Sequence, residues 1–169
     1  MRFGARVGRK AVVAAAVAGA VVLGGCAQSP SNAAVVEGTK ISRDQYQSAV
    51  ETGANLNLSA DIVLSLMIQG EIAEQVAADR GIEITDGDRA KVLEQAAPGA
   101  LEQVPQAREL LHLDADRAIV VQRVGEEEFT QAVTDADVTV NPRFGSWDPQ
   151  QALQVIPGTG SLSQQANRQ

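Results

Sequence analysis

The stretch between Ser59 and Gly81 constrains the fold more than any other part of the chain. Ile62, Val63, Leu66, Met67, Ile72, Ala73, Val76 and Ala77 recur there at helical spacing and form one broad apolar stripe. Ser59 followed by Asp61 supplies an N-cap and an acid at the positive end of the helix dipole, and Gly81 supplies the stop. This is the expected central core helix. Ser42-Arg43-Asp44-Gln45 reads as a capping box that starts a shorter helix, running to about Thr52 and stopping at Gly53. Thr85, with Asp86 and Asp88, opens a third helix that ends near Pro98-Gly99. Through residues 105–133 apolar side chains recur at helical spacing at Leu110, Leu113, Val120, Val124, Phe129 and Val133. One long helix or two abutting ones both fit.

The period changes at the two ends of this region. Residues 33–41 are β-branched and punctuated by Gly38, which reads as a short strand that bends or turns there. In residues 137–147, Val138, Val140 and Phe144 alternate with Thr139, Asn141 and Arg143, the period of a strand with one buried face. The expectation is a mainly α domain, closed by a small sheet that pairs the N- and C-terminal strands.

Ahead of this domain, Arg2, Arg6, Arg9 and Lys10 precede an uncharged small-aliphatic run at residues 11–23, as in the n- and h-regions of a signal peptide. The run is short and rich in Ala and Gly, whereas a spanning helix needs about 20 apolar residues. It ends in Leu23-Gly24-Gly25-Cys26, which resembles the lipobox of bacterial lipoproteins. That resemblance implies cleavage before Cys26 and a diacylglyceryl group on its sulfur, placing the chain on the extracytoplasmic face of the cell membrane. Cys26 is the only cysteine, so its lipidation excludes disulfides and thiolate chemistry in the mature chain. All 21 acids lie after Cys26 and four of the 14 bases before it, leaving a mature net charge of −11. Such a charge opposes nucleic acid and anionic headgroups alike, so membrane attachment falls to the acyl chains. The resulting division is a signal peptide at 1–25, a lipidated tether at 26–32, a helical domain at 33–148 and a disordered tail at 149–169, rich in Gln, Ser, Gly and Pro.

Three segments carry a further resemblance. Residues 35–46 (VVEGTKISRDQY), Gly81-Ile82-Glu83-Ile84-Thr85-Asp86 and residues 141–148 (NPRFGSWD) resemble the opening strand, the turn after the second helix and the closing strand of the SurA-type extracytoplasmic chaperones. Members of that family often insert a parvulin prolyl-isomerase domain before the last strand. Here only Thr134-Asp135-Ala136-Asp137 separates Val133 from Val138, and the single His112 cannot supply paired histidines. The resemblance therefore implies chaperone-like binding of unfolded or exported polypeptides without isomerase activity.

Other chemistry has weaker signals. Glu126, Glu127 and Glu128 are consecutive, so on a helix they diverge and read as a solvated face. Asp114 with Asp116 and Asp135 with Asp137 lack the glycine and distal glutamate of a calcium loop. His112 near Asp114 suggests a dyad less readily than a packed histidine between leucines. Phe144 and Trp147, with Tyr46, read as pins between the last strand and the helices rather than as a binding hot spot. No metal, cofactor or catalytic residue is expected. The candidate client groove comprises Ile62, Leu66, Met67, Leu110, Val120 and Val124, where the central helix faces residues 105–133. Met67 suits it through its adaptable thioether. The alternative is a structural or adaptor lipoprotein that binds one particular cell-envelope protein.

Overall fold

The computed structural model describes residues 31–150 and 153–158. The segments read as a signal peptide, with Leu23-Gly24-Gly25-Cys26, and as a tether up to residue 30 lie outside the described residues. Two strands open the fold, β1 (Asn32–Val36) and β2 (Thr39–Ser42), paired antiparallel. Glu37 and Gly38 join them with φ of 47° and 85°, the two positive values a tight hairpin turn requires. The third strand, β3 (Val138–Val140), lies on the other side of β1, with Ala34 opposite Val140 and Val36 opposite Val138. Glu37 and Asp137 lock that edge. The Glu37 N–H donates to the Asp137 carbonyl at 2.9 Å, and the Glu37 carboxylate accepts the Asp137 N–H at 2.7 Å. The expected terminal sheet is thus present, in the order β2-β1-β3.

The strand expected through residue 147 is shorter. Pro142 has no N–H to give a ladder, and Asn141 instead organises a turn. Its side-chain oxygen accepts the Arg143 N–H at 3.1 Å, its carbonyl accepts the Phe144 N–H at 2.8 Å, and its amide donates to the Asn32 carbonyl at 3.0 Å. A separate β4 (Ser146–Trp147) follows.

Helix α1 (Arg43–Ala54) starts at the expected capping box: Gln45 N–H donates to Ser42 Oγ at 3.1 Å and the Gln45 carbonyl oxygen accepts the Ser42 N–H at 2.9 Å. Helix α2 (Ala60–Arg80) ends on Gly81 at φ 62°. Ser59 holds the extended N-cap backbone, but its side chain makes no capping hydrogen bond. Helix α3 (Asp86–Ala96) has a second box, between Thr85 and Asp88, so Asp88 caps the helix as well as complementing its dipole. The Thr85 hydrogen bonds hold the Asp88 carboxyl below its usual range. A short α4 (Ala100–Gln103) and a 3₁₀ turn lead into α5 (Arg108–Val124). Residues 105–133 are two helices rather than one: Gly125, at φ 93° and ψ 154°, ends α5 and starts α6 (Glu126–Asp135).

Helix α2 is central, packed by α1, α5, α6, β1 and the short strand Val155–Ile156. Its buried apolar side chains are Val63, Leu64, Ile68, Ile72, Ala73 and Ala77, while Ile62 is 38% exposed. The expected stripe is therefore widened: Val63, Ile72, Ala73 and Ala77 of it are buried, and Leu64 and Ile68 join them because α2 is covered over a wide arc. Tyr46 anchors α1 to this core. Its hydroxyl donates to the Ala60 carbonyl at 3.1 Å, and its ring meets Phe144 edge-on at a centroid distance of 4.9 Å. Phe144 and Trp147 are half-buried against the same core.

The reading of 149–169 as a disordered tail does not hold for its middle. Residues 153–156 form a strap across α2, ending in β5 (Val155–Ile156), which pairs with β4. Val155 is buried, and its N–H donates to the buried Ser65 Oγ at 2.8 Å. Gln69 Nε2 donates to the Leu153 carbonyl at 2.7 Å. Gly145, at φ 138°, passes so close beneath the strap that an added Cβ would lie 2.5 Å from the Ile156 carbonyl oxygen.

Candidate functional site

A cleft of about 470 Å³ opens where α1, α2 and α5 meet. Its α2 wall is Met67, Glu71 and Glu74, spaced i, i+4, i+7 on one helical face. The α5 wall is Glu109, His112, Leu113 and Asp116, again one face, and α1 adds Gln45, Ser48, Ala49 and Thr52. The walls approach closely because Gly70 has no side chain: a Cβ there would sit 2.6 Å from Leu113 Cδ2. The floor is apolar, made by Ala49, Met67, Leu110 and Leu113.

Carboxylates surround that floor. Burial, and then the charge of Glu74 beside it, raise the Glu71 carboxyl above its usual range. Asp116 is 5% exposed and already partnered: Arg89 on α3 grips it twice, Nε to Oδ1 at 2.6 Å and Nη2 to Oδ2 at 3.0 Å. Arg89 also reaches Asp86 at 2.9 Å, and these hydrogen bonds, the one to Asp116 foremost, raise its pKa. No Lys or Arg is among the residues lining the cleft.

The six residues expected to form one groove are divided. Met67 and Leu110 belong to this cleft. Ile62 and Leu66 line a different cavity, of about 390 Å³, together with Leu153 of the strap and Arg117. Val120 is fully buried, and Val124 packs half-buried against the core. The physical reason is competition for hydrophobic side chains: the most apolar positions facing α5 are taken up by the core, and what stays open is a mixed surface at its margin.

The weaker candidates are also placed. Asp114 pairs with Arg117 at 3.1 Å. His112 is half-buried at the cleft wall. Glu128 turns toward Arg80, while Glu126 and Glu127 are exposed. Asp135 accepts from Gln131 Nε2 at 2.8 Å. Among the described residues no three His, Asp or Glu side chains come together as metal ligands, and no helix is long and apolar enough to cross a membrane.

Sequence reasoning missed Ala49, Glu71, Glu74, Glu109 and Leu113 as cleft residues. The signal was available: residues 67, 70, 71 and 74 of α2 and residues 109, 112, 113 and 116 of α5 both step i, i+3, i+4, i+7, each mixing acids with one or two small or apolar residues. A search for apolar stripes alone passes over such a face. Comparison with known protein families, with characterised proteins and with solved structures gave no match.

Proposed function

We propose that this chain is a lipoprotein held on the extracytoplasmic face of the cell membrane through diacylglyceryl-Cys26, and that it binds segments of unfolded or exported polypeptides without isomerase activity. The observation that carries the binding role is the α1–α2–α5 cleft. It has an apolar floor, a polar rim and a volume in the roughly 300–1,000 Å³ range of ligand sites. The three segments that resemble SurA-type chaperones support the same reading, and the acidic cleft supports a protein partner over nucleic acid.

Within this reading, a specific observation favours the adaptor over a general holdase. Leu64, Ile68 and Val120 are fully buried in the core, and the strap covers another side of α2. The apolar surface left open is small and suits one segment better than many clients. The acylated protein in lipid nanodiscs tests this. As an adaptor it leaves aggregation of unrelated unfolded proteins unaffected and crosslinks to one envelope protein. Suppression of several aggregating proteins restores the holdase, and neither result overturns polypeptide binding.

The anchor has its own test. A Cys26→Ser precursor is expected to retain its signal segment, to migrate as the larger form and to take up no labelled fatty acid. Continued processing and labelling would refute attachment at Cys26. With a net charge of −11 on the mature chain, acyl chains at about 0.8 kcal/mol per buried CH₂ are the available source of membrane affinity.

A further inference from the structure

The cleft rim is electrostatically one-sided. Glu71 and Glu74 stand one turn apart on α2 and Glu109 faces them from α5. Among the described residues none of these three has an ion-pair partner, whereas Asp116 at the same wall is held by Arg89. Like charges at this helical spacing destabilise a helix rather than support it, and the raised Glu71 pKa has that repulsion as its second cause, after burial. The apolar floor of Ala49, Met67 and Leu113 lies directly between the two acidic walls.

We propose that the cleft is selective for a cationic amphipathic polypeptide segment. An aliphatic side chain of the segment lodges against Met67 and Leu113, and a neighbouring Lys or Arg reaches Glu71 and Glu74. This rests on the polypeptide-binding reading above and narrows it to one partner chemistry. Charge complementarity selects that occupant: a cation relieves the Glu71–Glu74 repulsion and gains one half-buried and one exposed carboxylate partner, while a second copy of this chain would bring another net −11. Met67 adapts the floor to Leu, Ile or Met, so the acids set the specificity.

Four ten-residue peptides, alternating Leu/Lys, Leu/Ser, Ser/Lys and Leu/Glu, titrated against the acylated full-length mature protein in neutral-lipid nanodiscs, provide the test. The Leu/Lys peptide is expected to bind best. Its affinity should fall about fivefold or more in Glu71→Gln/Glu74→Gln, as expected for loss of two rim ion pairs, and should fall with added salt. That variant removes a repulsion and should keep its helical circular dichroism and melting temperature. A Met67→Ser variant should also weaken Leu/Lys binding. Equal binding of Leu/Ser leaves polypeptide binding intact but overturns the cation selectivity. Equal binding of Ser/Lys reduces the site to an acidic patch and overturns the role of the floor. Binding of no peptide overturns both the selectivity and the reading beneath it. A dimer of the free protein that no peptide dissociates makes a second copy the occupant and likewise overturns the proposal.

Discussion

Arg89→Met is expected to lower the unfolding free energy by about 3 kcal/mol in urea denaturation, toward the lower end of what removing one partner of a buried ion pair costs. Asp116 is 5% exposed and both of its oxygens accept from Arg89, at 2.6 and 3.0 Å. Without the guanidinium, a carboxylate on α5 stays in the interior with no counter-charge. The Arg89 side chain is 25% exposed, so water partly substitutes for it, which sets the figure low in the range. The double variant Arg89→Met/Asp116→Leu should recover most of the loss, because a matched apolar pair avoids the desolvation that the charges impose. Equal stability of Arg89→Met and the parent protein would mean that the pair is too well solvated to matter. Failure of the double variant to recover would mean that the cost lies in packing between α3 and α5 rather than in the orphaned charge.

Gly145→Ala should release the strap without unfolding the domain. A non-glycine residue at φ 138° is strained by about 1–3 kcal/mol, and its Cβ would also stand 2.5 Å from the Ile156 carbonyl oxygen. That oxygen is backbone and cannot turn aside, so β4 and β5 must part. A local destabilisation of about 2 kcal/mol or more corresponds to roughly 30-fold faster amide exchange at Val155, whose N–H donates to Ser65. Exchange in the middle of α2 should change far less. Gly158→Ala is the control, since the nearest contact of its added Cβ is the Pro142 carbonyl oxygen at 3.5 Å. Unchanged exchange at Val155 in Gly145→Ala would mean that Ser65 and Gln69 hold the strap independently of its pairing with β4.

Local chemistry was the most legible part of the fold. Ser42 with Gln45, Thr85 and Gly81 each announce a helix end through groups within four residues, and the structure places helix ends at all three. The pairing of β1 with β3 was legible too, because a β-branched run opens the helical chain and a period of two closes it. The strap was not. Its partners Gln69 and Ser65 lie 84 and 90 residues away, and Leu153, Val155 and Ile156 among Gln, Gly and Pro give no sustained periodic signal. Ser65 and Gln69 on the core helix were the available hint: the buried Ser65 hydroxyl donates to the Asp61 carbonyl at 2.6 Å, which leaves its oxygen free to accept the Val155 N–H at 2.8 Å. The cleft was misplaced for a related reason. Val120 was selected for its hydrophobicity, and that same property draws it completely into the core, leaving Met67 beside Glu71 and Glu74 as the accessible face.

The register of the first hairpin fixes the working distance of the whole domain. Asn32 lies opposite Ser42, and Gln45, hydrogen-bonded to Ser42, is part of the cleft wall. With lipid on Cys26, six residues of leash reach at most about 20 Å before the chain enters β1. Under the proposed lipidation of Cys26, the cleft would open near the attachment point of the leash, within a shallow layer above the bilayer. A partner segment would then have to be presented in that layer, by a membrane-bound protein or by a chain still emerging from the membrane, and lengthening the leash rather than altering the cleft would let the same site sample the space beyond.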